Sequence, residues 1–324
     1  MNDRLDFSRP IHVLAPLAGL TDLPFRSVVK KFGADLTVSE MISSNALVHN
    51  SQKSLKMIQK SPLENPYAVQ IAGADEEVVK GAVEILNGID GIDIIDLNCG
   101  CPVPKVVCHG SGSSLLQDLE KMQRMIQAIK STSNKPLTSV KVRIGFDEKR
   151  PVAIGKAAEE AGADFIAVHG RTRAGKFKSE VDYEAIRQIK EAVSIPVIAN
   201  GDITDYAKAK WVLEFTGADG VMIGRGAVGK PWIFYQLSHG LGDDTIDPAL
   251  KKEVILEHFE QMIAFYGEYG VILFRKHLHT YSKAGYRGAS AFRDTVNRIE
   301  DPDRMREEIE KFFDPSNSLA HRLQ

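Results

Sequence analysis

The segment Asp96-Leu97-Asn98-Cys99-Gly100-Cys101-Pro102 follows the apolar, β-type run Ile92-Asp93-Ile94-Ile95. A strand that ends in Asn, Gly, Cys and Pro delivers a thiol to a sharp turn, where a ligand can reach it. Cys101 is therefore the first candidate for chemistry, with Cys108 and His109 close behind. Cys99, Cys101, Cys108 and His109 could ligate zinc, but Cys-x-Cys-x6-Cys-His departs from the Cys-x2-Cys spacing of common structural sites, and no metal is expected. As a nucleophile Cys101 would need a base, for which His169 is the candidate. As a general acid it needs only the proton that an unperturbed thiol keeps at neutral pH. The residues alone leave these two roles open. Cys99, facing the opposite way if the strand continues, reads as a buried apolar side chain.

Other polar groups recur at the ends of apolar runs: Pro16-Leu17-Ala18, Glu40-Met41, Gln70, Asn98, Lys141 with Arg143, and His169 with Arg171. Asn200-Gly201-Asp202 and Gly224-Arg225-Gly226 close the last two runs. Glycines let backbone N–H groups approach a phosphate, and a guanidinium can grip one bidentately, so these two turns together point to phosphate. Lys141 interrupts an apolar strand, a costly place for a charge unless it meets an anion or an electron-rich ligand. An ion pair with Asp96 or Glu40 is the alternative.

The elements that would position these groups are short β-branched runs alternating with amphipathic stretches. Strands are expected over 11–15, 36–39, 68–71, 92–97, 139–144, 165–168, 196–199 and 220–223, and helices over 75–86, 119–129, 152–161 and 183–192. Gly33, Gly91, Gly162 and Gly217 stand between helix and strand, where a left-handed residue ends a helix. Eight β/α units close a (β/α)8 TIM barrel, whose C-terminal strand ends gather function and whose last two strands commonly hold phosphate. No Gly-x-Gly-x-x-Gly follows the first strand, which argues against a doubly wound open sheet. The fold class expected is thus α/β, a barrel over 1–240, followed by a small all-helical domain over 241–324. Helices are expected there over 248–269, 273–282 and 292–313.

The 324 residues are 43% hydrophobic and 26% charged, ordinary values for a soluble globular protein. No apolar run is long enough to span a membrane, and the acidic N-terminus does not resemble a secretion signal. Three clustered cysteines make a disulfide scaffold improbable and fit the reducing cytoplasm. A net charge of −2 means that any nucleic-acid site must be a local basic patch. Residues 271–298 offer one: Arg275, Lys276, Lys283, Arg287, Arg293 and Arg298, with Phe274, Tyr281 and Tyr286 interleaved for stacking on RNA bases. A solvated helix face is the simpler account of the same composition.

Taken together, Ala15-Pro16-Leu17-Ala18-Gly19-Leu20-Thr21-Asp22, Gln70, Asn98-x-Gly100-Cys101-Pro102, Lys141-Val142-Arg143 and His169-Gly170-Arg171-Thr172-Arg173 resemble the tRNA-dihydrouridine synthases, most of all the bacterial B-type members. Asn200-Gly201-Asp202, Gly224-Arg225-Gly226, Arg275-Lys276-His277 and Tyr281 extend the resemblance from about residue 11 to the end. Leu17 and Cys99 stand where relatives commonly carry methionine, and Pro104 interrupts the segment before Lys105.

The resemblance implies a cytoplasmic flavoenzyme that binds FMN, takes hydride from NADPH or NADH, and reduces the C5–C6 double bond of a uridine in tRNA, in the D-loop for a B-type member. It implies Pro16, Leu17, Ala18 and Gln70 at the isoalloxazine ring, Lys141 at its pyrimidine edge and His169 in the same pocket. Asn200, Gly201, Asp202, Gly224 and Arg225 would hold the phosphate. Cys101 would protonate C5 opposite the hydride delivered to C6, Asn98 and Arg171 would position the base, and Arg275 and Lys276 would meet the tRNA. No metal, membrane or obligate protein partner is implied. The rival enzyme reading is a flavin barrel reducing a free pyrimidine, as dihydroorotate dehydrogenases do. A lyase with Lys141 as Schiff base and a non-catalytic RNA-binding barrel are further rivals.

Overall fold

The computed structural model describes residues 5–176, 178–283 and 285–318. Parallel strands β1 (Ile11–Leu14), β2 (Leu36–Val38), β3 (Ile42–Ser43), β4 (Tyr67–Ala72), β5 (Ile94–Cys99), β6 (Leu137–Arg143), β7 (Phe165–His169), β8 (Val197–Asn200) and β9 (Gly220–Ile223) form one sheet. Pairing runs from β4 through β5, β6, β7, β8 and β9 to β1 and β2, and β2–β4 pairing closes the ring, as a (β/α)8 barrel requires. The eighth position is split. β2 meets β4 at Tyr67 and Ala68, whereas β3 meets it at Ile71 and Ala72, so both occupy the edge that β5 leaves. Between them Ser39, Glu40 and Met41 leave the ladder, and Met41 turns into the barrel mouth.

Side-chain parity explains the layers. Ile11, Val13, Ala68, Ile94, Phe165, Ala167, Ile198 and Met222 point inwards and form an apolar plug, with the Phe7 ring tilted against that of Phe165 at 5.8 Å. Alternate residues such as Ile95, Leu97, Cys99, Val140, Val142 and Val168 point outwards against the helices. Aspartates cap four of the helices: Asp75, Asp118, Asp182 and Asp205 accept from backbone N–H groups three residues on. The four glycines expected between helix and strand all have positive φ.

Beyond helix Ile233–His239, helices Pro248–Tyr266, Tyr269–Tyr281, Ala289–Val296 and Pro302–Phe312 surround a second core of Phe259, Met262, Phe274, Leu278, Val296 and Ile309. That core is not closed on itself, since Val28 of helix Leu23–Lys31 and Trp232 belong to it. The single helix expected over 292–313 is two. Asp301 accepts from Arg304 N–H as an N-cap and Pro302 opens the second helix, because proline lacks the N–H that a continuing helix would need. Among the described residues, no helix is long and apolar enough to cross a membrane.

Candidate active site

A cavity of about 470 Å³ opens at the C-terminal ends of the strands. Pro16, Leu17, Ala18, Gln70, Asn98, Cys101, Lys141, His169, Asn200, Gly201, Asp202, Gly224 and Arg225 line it, as do Met41 and Arg143. Parity sends them there: Ile94, Asp96 and Asn98 share one face of β5, and Ser139, Lys141 and Arg143 share one face of β6.

Backbone clamps hold the cysteine turn. Asn98 Oδ1 accepts from Gly100 N–H at 3.1 Å and from Cys101 N–H at 2.9 Å. Arg143 Nε donates to Gly100 O at 2.7 Å, and Ser113 N–H donates to Cys101 O at 3.1 Å. The Cys101 thiol is half-buried at the cavity wall, while Cys99 lies in the outer core with its thiol pushed up by burial. Pro104 does not interrupt the next segment. It occupies the first position of the short helix Pro104–Val107, where its missing N–H costs nothing.

Lys141 meets an amide rather than a carboxylate: Nζ donates to Asn200 Oδ1 at 3.1 Å, and Asn200 Nδ2 donates to Met222 O at 2.7 Å. Asp96 is taken instead by Gln70 and Ser139, at 2.7 and 2.6 Å, so the expected ion-pair alternative does not form with it. Burial, and then Arg143, lower Lys141 to about 8. Burial, reinforced by Lys141, Arg143, Arg171 and Arg225, lowers His169 to about 2. Burial and the surrounding positive charge both disfavour His169 as the base that a nucleophilic Cys101 would need. Cys101 as a proton donor needs no such partner.

Several expected contacts go elsewhere. Arg171 is buried, donating from Nε to Ser179 O at 2.6 Å and from Nη1 to Asp202 Oδ1 at 3.2 Å, so it braces the corner rather than facing the cavity. Arg225 Nη2 also donates to Asp202, at 2.6 Å. Asn98 spends both ends of its amide on the turn and on Gln70 Oε1 at 2.7 Å. Neither Arg275 nor Lys276 lines the cavity. Arg275 donates to Ile299 O at 2.7 Å, whereas the Lys276 ammonium reaches the Gly19 turn at the barrel mouth. Phe274 and Tyr281, expected to stack on bases, are buried in the second core, and Tyr286 packs on Phe312 and Phe313. Lys283, Arg287 and Arg298 are exposed. Arg143 was the clamp to find from sequence, since it lies two residues beyond Lys141 on the same strand face.

The chain matches the dihydrouridine synthase family over residues 13–317. It is 51% identical to a probable tRNA-dihydrouridine synthase of Helicobacter pylori (strain ATCC 700392 / 26695), covering 93% of this chain and 91% of that one. It is 43% identical to tRNA-dihydrouridine synthase B of Pseudomonas syringae pv. tomato, covering 93% and 90%. Among solved structures, 6-hydroxypseudooxynicotine amine oxidase from Pseudomonas geniculata N1 shares the barrel at a TM-score of 0.52 and 13% identity, over 76% of this chain and 50% of that one. A match along nearly the whole chain, with relatives at this identity, makes it a member of the dihydrouridine synthase family.

Proposed function

We propose that the chain is an FMN-dependent, NADPH-driven tRNA-dihydrouridine synthase that reduces the C5–C6 double bond of a uridine, in the D-loop by its likeness to B-type relatives. The observation that carries this reading is a half-exposed thiol, clamped through its own backbone, at the wall of a barrel-mouth cavity that also holds Lys141. The cavity lies within the ~300–1,000 Å³ range of small-molecule sites. The residues also fit a flavin in kind. A lysine whose partner is a neutral amide suits the electron-rich edge of the ring, and the Asn200–Asp202 and Gly224–Gly226 turns suit its phosphate. Bound FMN, reduced by NADPH, supplies the hydride for C6 of the uracil.

The chain's own residues do the rest. Pro16, Leu17 and Ala18 would give the ring an apolar wall, and Gln70 and His169, which line the same cavity, would contact it. Lys141, which lines the cavity, would offer its positive charge to the electron-rich edge of the ring. Cys101 Sγ gives its proton to C5 from a fixed position, which is all the developing enolate requires. A uracil within folded tRNA must be swung out to enter the cavity. Residues 241–324 form the RNA-recognition unit, with Lys276 at the barrel mouth and exposed Lys283, Arg287 and Arg298 as phosphate contacts.

The test is nucleoside mass spectrometry on unmodified tRNA incubated with the purified, flavin-loaded protein and NADPH. New dihydrouridine is the expected result. A yellow protein that reduces free pyrimidines and leaves tRNA unchanged would overturn the substrate, and a colourless one the cofactor.

A further inference from the structure

Asp96 is a buried carboxylate, 4% exposed, that the proposed chemistry does not use. It lies beneath the cavity in a layer of registered neighbours, Gln70 on β4 and Ser139 on β6. Ser139 Oγ donates to its Oδ1 at 2.6 Å, and Gln70 Nε2 donates to its Oδ2 at 2.7 Å. Gln70 Oε1 then accepts from Asn98 Nδ2 at 2.7 Å, and Asn98 Oδ1 accepts from the N–H groups of Gly100 and Cys101.

The direction of this chain is not free. An ionised carboxylate only accepts, so Gln70 must turn its NH₂ down and its oxygen up. Asn98 must in turn offer its NH₂ to Gln70, which leaves its oxygen facing the two N–H groups of the cysteine turn. Were Gln70 reversed, two oxygens would face each other at Asp96 and two NH₂ groups at Asn98. We infer that Asp96 is a positioning residue for Cys101: its carboxylate sets the polarity of an amide relay, through Gln70 and Asn98, that holds the turn carrying the thiol. The inference rests on the proposed role of Cys101 as proton donor.

The surroundings of Asp96 make its charge a controlled quantity. Burial pushes the carboxyl up to about 6, against the bonds from Ser139 and Gln70 and the positive charge of Lys141 on β6. Cys99, on the outward face of β5, is the other titratable group that senses it. A protonated or amide side chain at this position donates as well as accepts, so the lower end of the relay no longer enforces the orientation of Gln70, which is then held only from the Asn98 end.

The test is a double-mutant cycle on the flavin-loaded enzyme, with dihydrouridine formation from unmodified tRNA and NADPH as the readout. Asp96→Asn, which keeps the shape, is expected to lower kcat about 10–100-fold, the scale of a misplaced catalytic group, with KM for tRNA held within about twofold. In a Cys101→Ala background the same substitution is expected to change nothing further, because no thiol remains to be positioned. Ser139→Ala gives a milder version, about 3–10-fold, with the same dependence on Cys101. If Asp96→Asn folds poorly, Ser139→Ala alone decides. Losses that multiply fully with Cys101→Ala would make Asp96 a support of the barrel or the flavin and overturn the inference, while leaving the proposed function intact. A wild-type enzyme that forms no dihydrouridine would overturn both.

Discussion

Replacing Lys141 with methionine should make the flavin-free protein more stable and a poorer flavin binder at once. Burial, and then Arg143, bring this lysine from an ordinary 10.5 to about 8. That drop corresponds to roughly 3 kcal/mol of native-state cost for holding the charge at neutral pH. Methionine keeps most of the length of the side chain and removes the charge. It also removes the bond to Asn200 Oδ1 at 3.1 Å, a loss of about 1–2 kcal/mol. A net gain of about 1–2 kcal/mol remains, or roughly 2–6 °C in melting temperature. The pH dependence has a definite sign. Below about 8 the lysine is charged in both native and unfolded states, and the full cost is present. Between about 8 and 10.5 the native state has released a proton that the unfolded chain still holds, so the wild type gains stability with rising pH and the variant's advantage fades. In the proposed complex the same charge faces the flavin, and losing a charge-assisted bond of about 1.5–3 kcal/mol weakens FMN about 10–100-fold. Melting of the flavin-free protein from about pH 6 to pH 10, with FMN titration followed by quenching of its fluorescence, reads both effects. A variant that melts lower at neutral pH and binds FMN undiminished would refute the cost assigned to this charge.

Cys101→Ala is expected to keep FMN and its reduction by NADPH while slowing dihydrouridine formation by about 10²–10⁴-fold; full activity would remove the proton-donor role. Lys276→Ala should weaken tRNA binding and flatten its salt dependence by about one unit of slope. Arg275→Ala should act on stability instead, because its guanidinium is bonded to Ile299 O; gel-shift titrations at several salt concentrations, beside thermal melts, separate the two. Arg26→Leu should cost about 3–5 kcal/mol in chemical denaturation, since it strands Glu64, fully buried and bonded to Arg26 Nε at 2.7 Å. A loss under about 1 kcal/mol would show that Thr37 and Ser61, which also donate to Glu64, satisfy it alone.

The barrel was legible because its signals are local. Apolar runs of strand length, aspartate caps and left-handed glycines each act within a few residues, and their alternation specifies the ring. The split eighth position was not legible, since a strand of two residues such as Ile42–Ser43 has no periodicity to detect. The polar groups read at the strand ends mostly line one cavity, because alternation determines which face of a strand a side chain occupies. The destinations of Arg171, Arg225 and Arg275 were not accessible. A long guanidinium reaches partners several ångströms away, and its choice between a ligand and the protein's own Asp202 or Ile299 depends on tertiary geometry. Two misses had signals in the chain. Asp301-Pro302 marks a helix start, and Val271, Phe274, Leu278 and Tyr281 recur at helical spacing, the pattern of a buried face rather than of rings free to stack on RNA.

The buried seam between barrel and helical module bears on how the two parts work together. Phe25 of helix Leu23–Lys31 lies 5.3 Å from the ring of His258 and 5.5 Å from that of His277, and Val28 of the same helix belongs to the second core. Both histidines are fully buried, and burial pushes both down, His277 to about 3. They are therefore neutral at physiological pH and act as aromatic packing. Asp22 caps the same helix through Phe25 N–H at 3.2 Å and accepts from Tyr266 OH of the module at 3.1 Å. The Gly19 turn, which precedes this helix, is also where the Lys276 ammonium arrives. One helix thus joins the barrel mouth to the module by packing on its sides and by polar groups at its start. Under the proposed function, an RNA bound by the module would be held in register with the cavity, because both are referred to that helix.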